Sequence, residues 1–366
     1  MPLTDEFANS ATALKLAGFI KTLSRPDHPV RLMEFCGSHT TAILRYGIRQ
    51  LLPPDVELLS GPGCPVCVTD QTDIDRALYL ARVPNVIITT FGDMLKVPGS
   101  QGSLAEARAG GADVRVVYST LDALQLAREN PSRQVIFLGI GFETTAPTIA
   151  ASVAQAAEQG INNYAVFSLA KVCPPVIKAL LSSGEIRLSG LICPGHVSAI
   201  IGTEPYEFIA RDYAVACVIA GFEPVDILQA IAMLLSQLRE ARPRVEVAYT
   251  RGVVPAGNPH ALKLMDEVFK PVAASWRGMG EVPGSGLKLR PEYAVHDAEK
   301  LYSIPPMPRY KATGCICGEI LRGVKTPADC TLFGLACTPE RPIGPCMVSN
   351  EGACAAYHSY GDGRGG

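Results

Sequence analysis

Arg31-Leu-Met-Glu-Phe-Cys-Gly-Ser-His39 is a short β-rich run that ends in a glycine turn bearing a thiol and an imidazole. Seven further runs follow, each broken by a Gly- or Pro-containing turn: Val56–Ser60, Val86–Phe91, Val114–Tyr118, Gln134–Leu138, Tyr164–Leu169, Leu188–Cys193 and Ala214–Ala220. Helix-compatible stretches such as Asp73–Arg82 and Leu104–Ala109 lie between most of them. Short apolar strands alternating with helices read as parallel α/β sheets covered on both faces. The runs fall into two sets of four. They predict two similar α/β domains, residues 30–121 and 122–222, with Ser119–Pro131 as a helix-to-loop crossing between them.

The unusual residues sit just after these runs. Gly61-Pro-Gly-Cys64-Pro-Val-Cys67 follows the second, Gly92-Asp93 the third, Gly141-Phe-Glu143-Thr-Thr the fifth and Pro194-Gly-His196 the seventh. Open α/β sheets bind ligands outside the carboxyl ends of their strands. Two sheets with these edges facing each other predict a cleft lined by Cys, His, Asp and Glu.

Outside the strand runs the pattern changes. Leu14–Leu23 has helical apolar spacing, and Val225–Ala241 reads as one long amphipathic helix. Pro- and Gly-rich stretches follow, and from Thr313 the chain is a cysteine-rich, loop-dominated tail. Residues 1–29 with 223–366 are therefore expected to form a third, mainly helical region, ending in a disordered Gly361–Gly366.

Composition narrows the function classes. Hydrophobic residues make up 48% and charged residues 19% of the 366 positions, which argues for packed cores and against disorder. A net charge of −2 gives no nucleic-acid footprint. No apolar run approaches the roughly 20 residues of a membrane span. The segment Met1–Lys21 carries Asp5 and Glu6 and lacks the basic and apolar regions of a signal peptide, so a cytoplasmic location is expected. In such a chain twelve cysteines point to metal binding or redox chemistry rather than to a disulfide framework.

Cys64 and Cys67 have the spacing of a reversible dithiol, and a helix start there would favour the reactive thiolate. Half of a zinc site and two unrelated buried thiols are the alternatives. Cys36 and His39, three residues apart, can ligate one soft or borderline metal. They can also form a nucleophile pair, or lie beside a plain helix cap formed by Ser38 or Thr40. In the tail, Cys317, Cys330, Cys337 and Cys354 follow C-x12-C-x6-C-x16-C. Four thiolates gathered by loops suit a [4Fe–4S] cluster. An all-cysteine zinc site is the runner-up, though the paired knuckles of structural zinc are missing. Cys315 and Cys346 are spare on this reading, and Cys315 could replace Cys317. Asp93, Glu143 and His196 are candidates for positioning or protonating a ligand, or are helix caps and satisfied buried polar groups. Cys173, Cys193 and Cys217 lie in apolar surroundings and read as core residues.

Together these segments resemble the hydrogenase maturation factor HypD family. The resemblance rests on Met33-Glu-Phe-Cys-Gly-Ser-His-Thr40, Gly61-Pro-Gly-Cys-Pro-Val-Cys67, Phe91-Gly-Asp-Met94 and Gly141-Phe-Glu-Thr-Thr145. It continues through Cys193-Pro-Gly-His-Val-Ser198, Gly221-Phe-Glu-Pro224 and the tail ending Glu351-Gly-Ala-Cys354. It implies a scaffold that, with the small chaperone HypC and the cyanide donor HypE, builds the Fe(CN)2CO unit of [NiFe]-hydrogenase. It further implies that Cys36 binds the iron with His39 close by, and that Cys64 and Cys67 are the redox-active pair. On the same basis Cys317, Cys330, Cys337 and Cys354 hold the [4Fe–4S] cluster. The competing class is a free-standing iron–sulfur thiol–disulfide oxidoreductase. A zinc-stabilised binding module without redox chemistry is a third.

Overall fold

A computed structural model describes residues 9–308 and 313–361. Eleven strands are present among them. The first eight are β1 Val30–Glu34, β2 Val56–Ser60, β3 Val86–Thr90, β4 Val114–Val116, β5 Gln134–Gly139, β6 Tyr164–Ser168, β7 Gly190–Pro194 and β8 Ala216–Ala220. These match the eight runs read from the sequence to within two residues at each end. The remaining three are β9 Val245–Val247, β10 Phe269–Trp276 and β11 Gly280–Leu289.

The α/β class holds: two all-parallel sheets are covered by helices. Their strand membership differs from the contiguous division expected. A five-stranded sheet has the order β2-β1-β7-β8-β9, and a four-stranded sheet has the order β4-β3-β5-β6. The chain thus leaves the first sheet after β2, builds the second sheet whole, and returns at β7. Neither 30–121 nor 122–222 forms one sheet. The local signals were equal in all eight runs, and sequence-adjacent strands pair often enough to suggest contiguous units. The partner of β1 is decided instead by a long-range register, Met33 opposite both Leu59 and Leu191.

β3 and β5 to β8 are buried on both faces for nearly their whole length, as parallel strands under two helical layers must be. The third region is less helical than expected. β9 extends the five-stranded sheet, and β10 and β11 form an antiparallel ribbon with a bulge between Val272 and Ala274. Pro271, Pro283 and four glycines gave this ribbon the look of a loop. The two long helices fall where their periodicity puts them. Ser10–Leu23 is capped by Asn9, whose side chain accepts the Ala11 and Thr12 N–H groups. Pro224–Glu240 starts with proline in its first turn and a reciprocal Glu223–Asp226 capping box. Ala13 and Ile20 of the first helix share an apolar core with Ile227 and Ile231 of the second. Beyond Gly361 itself, the expected disordered tail lies outside the described residues. The cleft expected between strand ends is not itself a described feature. What the described residues show is one buried cluster joining both sheets through Phe35, Cys67, Leu138, Leu169 and Leu191.

Candidate functional site

β1 ends in Glu34-Phe35-Cys36, and Cys36 is the N-cap of the helix Gly37–Arg45. Glu34 folds back under this turn. Its carboxyl accepts the Cys36 N–H at 2.9 Å and the Thr40 hydroxyl. Burial pushes Glu34 up to about 8. Burial likewise pushes the Cys36 thiol up to about 12, with the Glu351 and Glu34 carboxyls adding to the rise. A thiol held this strongly in its protonated form ionises when a cation binds beside it.

His39 is fully buried, and its Nε2 lies 2.9 Å from the Gly221 carbonyl. That contact assigns the proton to Nε2, leaving Nδ1 as a bare lone pair with no hydrogen-bond partner. Burial lowers His39 to about 4, so the ring is neutral at pH 7. The ring stacks on Phe222 at 4.8 Å, and His196 stacks on the same phenyl at 3.9 Å. Cys36 and His39 thus offer one sulfur and one unpartnered nitrogen from neighbouring turns of a helix start, which suits a soft or borderline metal. Among the described residues no group of three or more Cys, His, Asp or Glu is arranged around a single metal ion.

The second cysteine motif presses on the first. Gly37 N–H donates to the Gly63 carbonyl at 3.2 Å. A Cβ on Gly63 would lie 2.3 Å from the Cys36 nitrogen, so only glycine allows this approach. Cys64 and Cys67 form a disulfide with a Cα–Cα distance of 5.2 Å. Cys64 caps the short helix Pro65–Val68, its sulfur accepting the Cys67 N–H at 3.1 Å. The Cys67 sulfur is 3.9 Å from the carbonyl of Pro345, the residue before Cys346.

The tail brings all six of its cysteines to one cavity. Cys315, Cys317, Cys330, Cys337, Cys346 and Cys354 line it together with Ile320, Leu332, Phe333 and Met347. Such a thiol-rich, apolar-walled space fits the donor set of a [4Fe–4S] cluster. One pair stands apart: the Cys317 and Cys346 sulfurs are 2.7 Å from each other. Hydrogen bonds from Cys315 and Cys346 hold Cys317 far below the usual thiol range, and the Arg277 guanidinium adds to this. The tail also reaches the Cys36 turn, where Ser38 donates to Glu351 at 3.1 Å and Thr41 to the Asn350 carbonyl at 2.9 Å.

The other candidates divide. Glu143, after β5, is buried and accepts the Cys173 N–H at 2.8 Å, while its second carboxyl oxygen has no hydrogen-bond partner. Burial pushes it up to about 7. Asp93 is exposed in the turn Gly92–Lys96, and its charge is felt at Glu351. Cys173, Cys193 and Cys217 are buried, the last two with sulfurs 3.5 Å apart on adjacent strands. Sequence reading passed over Glu34, Phe222 and Arg277. Glu34 could have been noticed as a charge inside an apolar strand, and Phe222 sits within the quoted Gly221-Phe-Glu-Pro224 segment. Arg277 carried no signal, because its role depends on a turn that touches two distant motifs.

Residues 11–361 match the family model HypD, described as the hydrogenase formation hypA family. The chain is 48% identical over 369 residues to hydrogenase maturation factor HypD2 of Bradyrhizobium diazoefficiens, spanning 99% of this chain and 97% of that protein. It is 47% identical to hydrogenase maturation factor HypD of Rhizobium leguminosarum bv. viciae, over 99% and 96% of the two chains. With hydrogenase maturation factor HypD of Rhodobacter capsulatus the identity is 45%, over 100% and 99%.

Proposed function

The chain belongs to the HypD family of hydrogenase formation proteins, and from that premise we propose that it is the scaffold on which the Fe(CN)2CO unit of [NiFe]-hydrogenase is assembled. Its general role is hydrogenase maturation. The finer reading is that it works in the cytoplasm with a HypC-type chaperone and a HypE-type cyanide donor. No helix among the described residues is long and apolar enough to cross a membrane.

The observation that carries this reading is the convergence of three cysteine modules. The Gly63 backbone packs on Cys36, and the Cys67 sulfur reaches the segment holding Cys346. Iron arrives as substrate. Cys36 supplies its thiolate, and the neutral His39, three residues on, keeps an unpartnered Nδ1 lone pair that could serve as a second donor. His196 shares the Phe222 platform and borders the same strand ends. Glu143, with a proton affinity matched to neutral pH, can exchange a proton during ligand attachment. Asp93 is assigned a supporting electrostatic role through Glu351.

Cys330, Cys337 and Cys354, with Cys317 or its neighbour Cys315, would hold the cluster. When bound, a [4Fe–4S] cluster supplies single electrons. The close Cys317–Cys346 pair favours Cys315 as the fourth ligand, because it leaves Cys317 and Cys346 able to act as a second dithiol. On taking two electrons and two protons, the Cys64–Cys67 disulfide opens to a dithiol beside the iron site.

Replacing Cys64 by Ser is expected to stop attachment of cyanide and CO to iron while leaving the absorbance of the cluster in place. Normal hydrogenase maturation in that variant contradicts the reading. Turnover of a disulfide substrate with no partner present would favour a free-standing oxidoreductase instead.

A further inference from the structure

The turn of the β10–β11 ribbon sits at the seam between two cysteine modules. On one side Trp276 bridges antiparallel to Thr69, two residues after Cys67. Arg277 there donates its backbone N–H to the Val68 carbonyl at 2.9 Å and its Nε to the Thr69 carbonyl at 3.0 Å. On the other side Gly278, at φ +79°, lies against Gly318, the residue after Cys317; a Cβ on Gly278 would stand 2.3 Å from the Gly318 Cα. Arg322 ties this side together, donating to both the Gly278 and the Gly318 carbonyls. Within the ribbon the buried Trp276 of β10 donates to Ser285 of β11 at 2.7 Å.

The Arg277 side chain is only partly used by these contacts. Its Nη2 is buried and has no hydrogen-bond partner. A guanidinium is charged at every accessible pH, so a buried N–H donor of this kind faces a strong demand for negative charge. Among the groups at this seam, those that gain negative charge during a reaction are cysteine sulfurs: Cys317, on which the Arg277 charge acts, and the Cys64–Cys67 pair, whose short helix runs into the Val68 and Thr69 carbonyls that Arg277 binds. A half-buried cation acts on such charge with less screening than one at the surface.

We propose that Arg277 is a positioning residue for thiol–disulfide exchange at Cys64–Cys67, its half-buried guanidinium shifting that couple toward the reduced, thiolate-bearing state. The inference rests on the reading of Cys64–Cys67 as redox-active. The exchange needs a dithiol donor. Its two thiols give up two electrons and two protons and close a disulfide, while the Cys64–Cys67 bond breaks. One proton returns to solvent when one of the new thiols ionises, and that thiolate is the charge Arg277 stabilises.

The test is the equilibrium of Cys64–Cys67 in buffers of reduced and oxidised dithiothreitol, read by thiol alkylation and mass spectrometry on the full chain. Arg277→Gln is expected to move the equilibrium about tenfold toward the disulfide, or about 30 mV for a two-electron couple. Arg277→Lys keeps the charge and is expected to restore most of that shift. A glutamine variant that titrates like the wild type overturns the proposal. So does a lysine variant displaced as far as the glutamine one, since geometry alone would then be responsible. If Arg277→Gln does not fold, Arg277→Met compared with Arg277→Lys makes the same separation of charge from packing. A wild-type disulfide that no dithiol buffer reduces would refute the redox-active reading itself, which keeps the two failures distinct.

Discussion

His39 and Glu143 show how burial sets chemistry at single residues. His39 donates from Nε2 to Gly221 and keeps Nδ1 free, and burial keeps the ring neutral. Glu143 is pushed the other way, up to about 7. Its raised pKa carries a stability consequence with a definite sign. Below its ordinary value of 4.5 the carboxyl is protonated in both folded and unfolded chains. As pH rises from there through 7 the unfolded chain gives up this proton first, so folding is progressively disfavoured. The loss amounts to about 3 kcal/mol at most. Glu143→Gln keeps the oxygen that accepts the Cys173 N–H but cannot ionise. Thermal denaturation of this variant between pH 5 and 8 is expected to show a shallower fall in Tm than the wild type. Identical slopes would remove Glu143 from the account. At this scale the sequence singled out the cysteines, His39 and Glu143 as residues to watch, because their types are rare in turns after apolar strands. It could not name Arg277 or assign the His39 tautomer, since both depend on backbone carbonyls contributed by distant segments.

At the scale of elements, the helix Gly37–Arg45 is where the tail meets the first sheet. Gly37 faces the backbone of Glu351, and a Cβ there would lie 2.2 Å from the Glu351 carbonyl oxygen. The neighbouring Ser38 and Thr41 bonds fix the same contact. Gly37→Ala must therefore push the tail away from the Cys36 turn. A loss of about 1–3 kcal/mol is expected from overpacking of this kind. Limited proteolysis should then cut the variant faster within residues 340–361 than the wild type. Unchanged stability and cleavage would mean that the tail docks elsewhere. The elements themselves were largely readable, as the ends of β2 and the helix Leu104–Ala109 illustrate. The β10–β11 ribbon was not readable, because its prolines and glycines mask an antiparallel pairing that also bridges to Lys171 and Thr69.

For the whole molecule, the chain order hides the architecture. The four-stranded sheet is inserted between β2 and β7 of the five-stranded one, and the tail returns over 300 residues later to pack on the first helix after β1. Local propensity carries no information on such pairings; of the motifs after strands, Cys36 and the Gly61–Cys67 loop do lie together. The direct pairing of β1 with β2 places Cys36 beside the Cys64–Cys67 loop, and the tail completes the arrangement with its cysteine-lined cavity. That cavity is the part of the account on which the function most depends. The most direct test is an anaerobic determination of iron and acid-labile sulfide, with UV–visible and EPR spectra, on the wild type and on Cys330→Ala. About four iron and four sulfide per chain, lost in the variant, is the predicted result. Zinc bound with no labile sulfide would contradict the redox scaffold and leave the tail as a structural staple.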